Sequence, residues 1–389
     1  MNKGIIIKRL VIGLMALSLL ALPLIAACSQ PAPAPAPKTT APAPAPTTAA
    51  PAPKPTTAPA PSPSPTPVSK LPDTLKWDIS AWGAPRAMTY PVEDFIKDMA
   101  AATGGRWQLK LHYGEVLAPT KDAVDGLKAN MYQGVMIASM YHPGKTPLLT
   151  VGENPFLSPS TIPQIGDWYM AIAKHPAVVK ELDSWNAQVL FPTPLPQYNY
   201  MGKVPFKKVE DLKGLRMRID PVGGAPLEAY GAVLNNVIAP EIYAAMEKGM
   251  LDGVMAIWTY YFGAYKLNEL SKYATIGIDL KVTPMYLLVS KTAWAALPPE
   301  WQKLASDWAA TKTNAKFKEY MDIDDAKWLP IYQKQLEIST LPAAERAKLV
   351  EKAKPAWDKW VNEMAAKGLP GQEVLNYAMA ERDKILAKK

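Results

Sequence analysis

Two arginines in the stretch DLKGLRMRID, residues 211–220, have the spacing and chemistry to bind an anion. The apolar residues in its second half alternate with Arg216, Arg218 and Asp220, and this period of two is typical of a β-strand. On a solvated sheet face such arginines point into water, whereas in a sheet covered by helices a guanidinium needs an anionic partner. The alternatives for Arg218 are a carboxylate ligand, held by two parallel charge-assisted hydrogen bonds, and a structural salt bridge with Asp220 or Glu210.

Motifs for other kinds of chemistry do not occur in the sequence. It contains no phosphate-binding loop, no Gly-x-Gly-x-x-Gly and no Gly-x-Ser-x-Gly. The histidines, His112, His142 and His175, have no partner at metal-ligand spacing. We therefore expect no metal site, no cofactor and no catalytic residues.

The elements that would position Arg218 alternate between strand and helix. Residues 74–80, 106–113 and 135–138 have strand patterns, and helical patterns begin at Pro91 and around Val124 between them. This order predicts an α/β fold with a mostly parallel sheet. In such sheets, ligands bind at the carboxyl ends of the strands, and Arg218 lies near the carboxyl end of its own strand.

A repeated phrase indicates that this unit occurs twice. QGVMIA at 133–138 and DGVMAI at 252–257 both follow a helical pattern and begin an apolar strand. We therefore predict two similar lobes, each a mostly parallel sheet flanked by helices. From about Pro299 onward the sequence predicts a largely helical region, whose tryptophans are spaced for packing.

The N-terminal stretch has the pattern of an exported, lipid-anchored protein. Basic residues precede an apolar run from Leu10 to Ala27, which ends in Ile-Ala-Ala-Cys and is similar to the lipobox of bacterial lipoproteins. A transmembrane helix is the alternative, although a glycine, a serine and a proline interrupt the run. We expect residues 1–27 to be a signal peptide and Cys28, the single cysteine of the chain, to carry the lipid.

A linker and a folded part are expected to follow. Residues 28–70 are rich in proline and alanine, cannot bury a core and favour an extended chain of about 3.1 Å per residue. The formal net charge is +8, but six basic and no acidic residues fall within 1–70. Residues 71–389 are therefore nearly neutral, so the high isoelectric point is no argument for nucleic-acid binding.

Several stretches, in order, resemble a known family: the DctP-type solute-binding subunits of tripartite ATP-independent periplasmic (TRAP) transporters. The matching stretches are ATGGRWQLKLHYGEVLAP, YHPGKTPLL with ENPFL, KVEDLKGLRMRIDP, PEIYAAMEKGMLDGV, NELSKYAT and KTAWAALPPEWQ. The resemblance implies a two-lobed, periplasmic-binding-protein-like fold. The first lobe would comprise about 71–195 plus a later crossover segment, and the second about 196–282 plus part of the C-terminal helices.

The same resemblance implies a function. It predicts an extracytoplasmic receptor that closes around an organic acid and delivers it to a small and a large membrane permease subunit, driven by an ion gradient. The arginine that binds the ligand's carboxylate in the family falls at Arg218, whereas Arg216 is more variable and is expected to be structural. The alternatives are a lipid-anchored sensor or binding protein with a different membrane partner, and an exported enzyme.

The sequence departs from the family pattern after Asp252-Gly253. Acid-binding members often have a polar run there, whereas this chain continues VMAIWTYY. This favours a ligand with one carboxylate and an apolar or aromatic body, stacked on Trp258 or on a neighbouring tyrosine such as Tyr260. For the wall contributed by the other lobe, we expect Tyr141 and Trp82, although each is also compatible with simple packing.

Overall fold

The computed structural model describes residues 73–388. The predicted signal peptide, the lipidated Cys28 and the linker up to residue 70 lie outside the described residues. The described residues all belong to one compact unit.

Strands and helices alternate through most of the described chain. The strands are β1 (Leu75–Ser80), β2 (Trp107–His112), β3 (Gly134–Ala138), β4 (Ala187–Pro192), β5 (Tyr198–Gly202), β6 (Arg216–Arg218), β7 (Val233–Asn235), β8 (Gly253–Ile257), β9 (Tyr273–Ile276), β10 (Met285–Ser290) and β11 (Glu337–Thr340). The α-helices are α1 (Tyr90–Ala102), α2 (Ala123–Lys128), α3 (Ile162–Ala173), α4 (Pro176–Asp183), α5 (Pro221–Glu228), α6 (Ile242–Glu247), α7 (Tyr260–Ala264), α8 (Lys291–Ala295), α9 (Pro299–Gln335), α10 (Ala343–Glu351), α11 (Ala353–Ala366) and α12 (Gly371–Ala387).

The first lobe is built on a sheet with the order β2-β1-β3-β10-β4. β1 pairs in parallel with both β2 and β3, so the carboxyl ends of these strands meet at one edge. β10 returns from the second lobe and runs antiparallel between β3 and β4. Every residue of β3 and β10 is buried, as expected for strands covered on both faces.

The second lobe is built on a sheet with the order β11-β9-β5-β8-β6-β7. β6 runs parallel to β7 and β8, and Arg218, the last residue of β6, lies opposite Val254 of β8. β5 enters from the first lobe and pairs antiparallel with β8 and β9. The predicted two-lobed α/β fold is confirmed, although a strand of opposite direction makes each sheet mixed.

The long helix α9 braces both lobes. Its 37 residues span about 55 Å. Near its start, Trp301 stacks on Trp107 of the first lobe, with ring centroids 6.0 Å apart. Near its end, Tyr332 packs on Trp258 of the second lobe, with centroids 5.9 Å apart. The lobes are therefore joined by this helix as well as by the connections into β5 and β10.

Candidate functional site

Arg218 is completely buried at the carboxyl end of β6. Its Nε donates to the carbonyl of Val237 at 3.0 Å, and its Nη2 donates to the hydroxyl of Tyr141 at 3.1 Å. Its guanidinium carbon lies 5.7 Å from the ring centroid of Tyr261. These partners are neutral, and Nη1 is buried with no hydrogen-bond partner. Burying a cation that has an unused donor costs free energy of folding unless an anion binds to it.

Arg216, two residues earlier, has a different role. Its side chain is 48% exposed and forms a salt bridge with Asp252 through both Nε and Nη2. Asp220, considered above as a partner of Arg218, makes no hydrogen bond to it, although its charge acts on Arg218 electrostatically. It accepts from the backbone N–H of Gly223 at 2.7 Å and caps α5. The structure thus gives Arg216 a structural partner at the surface and places Arg218 in the interior.

Tyr141 and Trp82 bring the first lobe to Arg218. Tyr141 follows β3 and Trp82 follows β1, so both leave the edge where these parallel strands end. Their rings meet edge to face, with centroids 6.2 Å apart. The Tyr141 hydroxyl also accepts from the backbone N–H of Ala239 at 3.0 Å. Tyr141 therefore contacts two segments of the second lobe across the cleft.

The next wall of the site comes from α7, which a strained turn positions. Thr259 has φ 62° and ψ −77°, rare for a β-branched residue, and the N–H of Tyr260 closes the turn on the carbonyl of Trp258 at 3.0 Å. The hydroxyl of Tyr332, on α9, donates to the Thr259 carbonyl at 2.6 Å. Tyr260 and Tyr261 follow Thr259 in the chain. The bond from α9 to this turn therefore helps to hold both tyrosines in place.

Tyr261, within α7, and Tyr265, the residue after it, have buried hydroxyls. The two residues lie one helical turn apart, with ring centroids separated by 4.7 Å. The Tyr261 hydroxyl has no hydrogen-bond partner, and the Tyr265 hydroxyl faces the side chain of Trp82. Burial raises the pKa of both hydroxyls above the usual tyrosine value, although Arg218 and Arg86 act in the opposite direction. Both are therefore neutral donors at physiological pH.

A second buried arginine, Arg86, lies in the loop after β1 and is only 6% exposed. Its guanidinium carbon lies 5.3 Å from the ring centroid of Trp82 and 5.9 Å from that of Tyr265. The side chain of Tyr260 also faces this guanidinium. Like Arg218, Arg86 has buried donors without a partner.

The structure thus brings together most of the site residues expected from sequence. Arg218 contacts Tyr141, Tyr141 contacts Trp82, and both Trp82 and Tyr260 contact Arg86. Trp258 instead packs on Phe262, with centroids 5.9 Å apart, and on Tyr332.

Sequence reasoning missed Arg86, Tyr261 and Tyr265. Arg86 lies just beyond the carboxyl end of β1, at the same sheet edge as Tyr141, and that position is a signal the sequence does contain.

A buried charge cluster adjoins the site. Lys281, on the connection from β9 to β10, donates to both Glu153 and Asp220. The three side chains are at most 4% exposed. Glu153 also accepts from the hydroxyls of Ser139 and, at 3.2 Å, Thr283. Glu153 belongs to the first lobe and Asp220 to the second, so this cluster links the lobes.

Two further observations concern membrane-spanning helices and metal ligands. Within residues 73–388, no helix is both long and apolar enough to cross a bilayer. Over the same stretch, no group of three His, Cys, Asp or Glu side chains is placed to hold a metal ion.

Comparisons with known proteins agree with this architecture. Residues 81–364 match the model of the DctP family, "Bacterial extracellular solute-binding protein, family 7". A monocarboxylate 2-oxoacid-binding periplasmic protein of Nostoc sp. is 25% identical over 234 residues, which are 59% of this chain and 64% of that relative. The match therefore spans slightly less than two thirds of that relative's length.

Solved structures share the fold. A TRAP solute-binding protein from Rhodoferax ferrireducens, in complex with copurified benzoate, aligns with a TM-score of 0.69 at 22% identity, covering 80% of this chain and 99% of that one. A marine metagenome TRAP solute-binding protein specific for aromatic acid ligands, in complex with metahydroxyphenylacetate, aligns with a TM-score of 0.72 at 20% identity and the same coverage.

The fold and the cleft define a two-lobed solute-binding protein. Because the family model matches most of the chain, the protein belongs to the DctP family of bacterial extracellular solute-binding proteins. The resemblance seen in the sequence is confirmed. The family and its structural neighbours are transport receptors rather than enzymes.

Proposed function

We propose that this protein is the receptor of a TRAP transporter and that Arg218 binds the carboxylate of an organic acid between the two lobes. The observation that carries the proposal is the state of Arg218, a completely buried guanidinium whose partners are neutral and whose Nη1 is unused. A ligand carboxylate would supply a directly bonded anion and an acceptor for Nη1. The unpaired hydroxyl of Tyr261, beneath the same guanidinium, is a further donor for it.

The surroundings of Arg218 favour an acid with an aromatic or apolar body. Flat rings of Trp82, Tyr141, Tyr261 and Tyr265 contact one another or the arginines, and such rings bury large apolar surfaces in fixed geometries. The structural neighbours that hold benzoate and metahydroxyphenylacetate are consistent with a ligand of this kind.

Delivery to the membrane completes the proposal. Contacts such as the Ala239 N–H to the Tyr141 hydroxyl, and the Asn236 amide to the carbonyl of Met140 at 3.3 Å, join the lobes across the cleft. We infer that these contacts form when the lobes close and that the permease subunits recognise the closed receptor. In this proposal residues 1–27 are the signal peptide, Cys28 carries the lipid anchor and residues 28–70 are the linker, so the receptor is tethered outside the cytoplasm.

The test is a thermal-shift screen of the purified protein, unfolded and refolded to remove any ligand. Matched pairs such as benzoate and its neutral amide, benzamide, measure the contribution of the carboxylate to binding. Sugars and amino acids complete the panel. A ligand at about a hundred times its dissociation constant stabilises the protein by about 2.7 kcal/mol. We expect aromatic acids to raise the melting temperature and their amides to leave it unchanged. A response to neutral ligands alone would refute the carboxylate site.

A further inference from the structure

Arg86 has an unused edge that suits a carboxylate. Its Nη1 donates to the carbonyls of Trp82 and Ala84, both at 2.7 Å. Nε and Nη2 are buried and have no acceptor in good hydrogen-bond geometry, although the hydroxyl of Tyr260 faces the guanidinium. Nε and Nη2 lie side by side on the guanidinium and donate in parallel, which is the geometry that binds both oxygens of one carboxylate. Arg218, by contrast, has already used Nε and Nη2 on protein acceptors.

The Arg86 guanidinium is held in a fixed position. Two carbonyls bind its far side, and the rings of Trp82 and Tyr265 contact its planar surface. Gly83 provides the space, because a Cβ there would lie 2.9 Å from Nη1. A fixed cation of this kind needs little reorganisation to bind an anion.

Arg86 and Arg218 are connected by the same aromatic rings. Trp82, next to Arg86, packs on Tyr141, whose hydroxyl accepts from Arg218. On the other side, Tyr265 contacts Arg86 and packs on Tyr261, which lies beneath Arg218. The two arginines are therefore linked by two chains of contacting aromatic rings.

We propose, building on the function proposed above, that Arg86 binds a second carboxylate of the ligand and that the ligand is an aromatic dicarboxylate held between Arg86 and Arg218. A monocarboxylate would give an anionic hydrogen-bond partner to only one of the two arginines. The other would remain a buried cation that donates only to neutral groups and has unused donors. Arg86 therefore changes the sequence-based expectation of a ligand with a single carboxylate.

The test uses calorimetric titration of the whole refolded protein with benzoate, benzene-1,3-dicarboxylate, benzene-1,4-dicarboxylate and the monoamides of the two diacids. We expect at least one diacid to bind at least about tenfold more tightly than benzoate and its own monoamide, because only the diacid completes both arginines. This ligand-side comparison needs no variant. In Arg86→Met the ratio of the affinity for the diacid to that for its monoamide should fall to about one. Arg86→Lys should restore this ratio only in part, because an ammonium lacks the parallel donors. Arg106→Met is the control, since Arg106 contacts Trp301 and the Thr103 carbonyl instead.

The outcomes separate this inference from the proposed function. Binding of benzoate and the diacids with equal affinity to the wild-type protein, unchanged in Arg86→Met, would overturn the second anchor and leave the receptor proposal intact. The same preference for the diacid in a folded Arg86→Met protein would also overturn it. If no acid in the thermal-shift panel or in this titration bound, the proposed function itself would fail.

Discussion

Removing the positive charge from the buried cluster beside the site should destabilise the protein in a pH-dependent way. In the structure, Lys281 is completely buried and bonds to Glu153 and Asp220, themselves at most 4% exposed. Burial alone would lower the pKa of Lys281, but the two carboxylates outweigh it and raise that pKa. Burial also raises the pKa of Glu153 to about 7, despite the nearby lysine. Lys281→Met would leave two carboxylates buried together without a cation.

The expected cost follows from these contacts. Removing one partner of a buried ion pair costs about 3–5 kcal/mol in the free energy of unfolding. In the variant the Glu153 carboxyl, whose pKa burial already raises, must be largely protonated when folded but ionises when unfolded. Stability is therefore present at low pH and lost as the pH rises, by up to about 1.4 kcal/mol per pH unit for this group.

The assay is urea unfolding of the wild-type and variant proteins at about pH 5 and about pH 8. We expect Lys281→Met to lose about 3–5 kcal/mol at the higher pH and clearly less at the lower one. Lys291→Met is the matched control, because Lys291 pairs with Asp183 at the surface, where a salt bridge contributes about 0–1 kcal/mol. A loss at about pH 8 no larger than that of the control would refute the reasoning.

Two further predictions concern stability elsewhere in the fold. Burial, with the charge of Lys145, lowers the pKa of His142 to about 4. The unfolded chain therefore binds this proton more readily, so the free energy of unfolding falls as the pH falls from about 6.5 to about 4. In His142→Gln, urea unfolding over this pH range should show a loss that is smaller by about 3 kcal/mol. An equal loss in both proteins would contradict the lowered pKa of His142. A Cβ on Gly263 would lie 2.1 Å from the Trp328 indole, so Gly263→Ala should cost about 1–3 kcal/mol in thermal unfolding. Gly144→Ala, with nothing within 4 Å of its Cβ, should stay within about 0.5 kcal/mol, and equal effects would refute the close packing.

Local patterns in the sequence predicted much of the architecture. QGVMIA and DGVMAI fold as the buried strands β3 and β8, each at the centre of its lobe. The sequence pattern does not mark the residues of the crossing strand β10. A strand buried on both faces shows no alternation, and the partners of β10 lie far away in sequence. Directions of strand pairing are likewise set by such long-range contacts.

The candidate site was only partly predictable. The period of two singled out Arg218, and the ends of parallel strands explain why Tyr141 and Trp82 lie in the same region. Trp258 and Tyr260 are separated by one residue, but the positive φ of Thr259 turns the chain between them, so Trp258 packs against α9. A backbone conformation that threonine rarely adopts leaves no signal in the sequence.

The central claim is that Arg218 binds the ligand's carboxylate, and calorimetric titration of the tightest-binding acid from the thermal-shift screen tests it most directly. The comparison is between the ligand-free wild-type protein, Arg218→Met and Arg216→Met. Loss of a partner in a buried charge pair costs about 2–5 kcal/mol, so Arg218→Met should bind at least about 30-fold more weakly. Arg216→Met, which removes a surface pair with Asp252, should stay within about threefold of wild type. Wild-type affinity in a folded Arg218→Met protein would contradict the account.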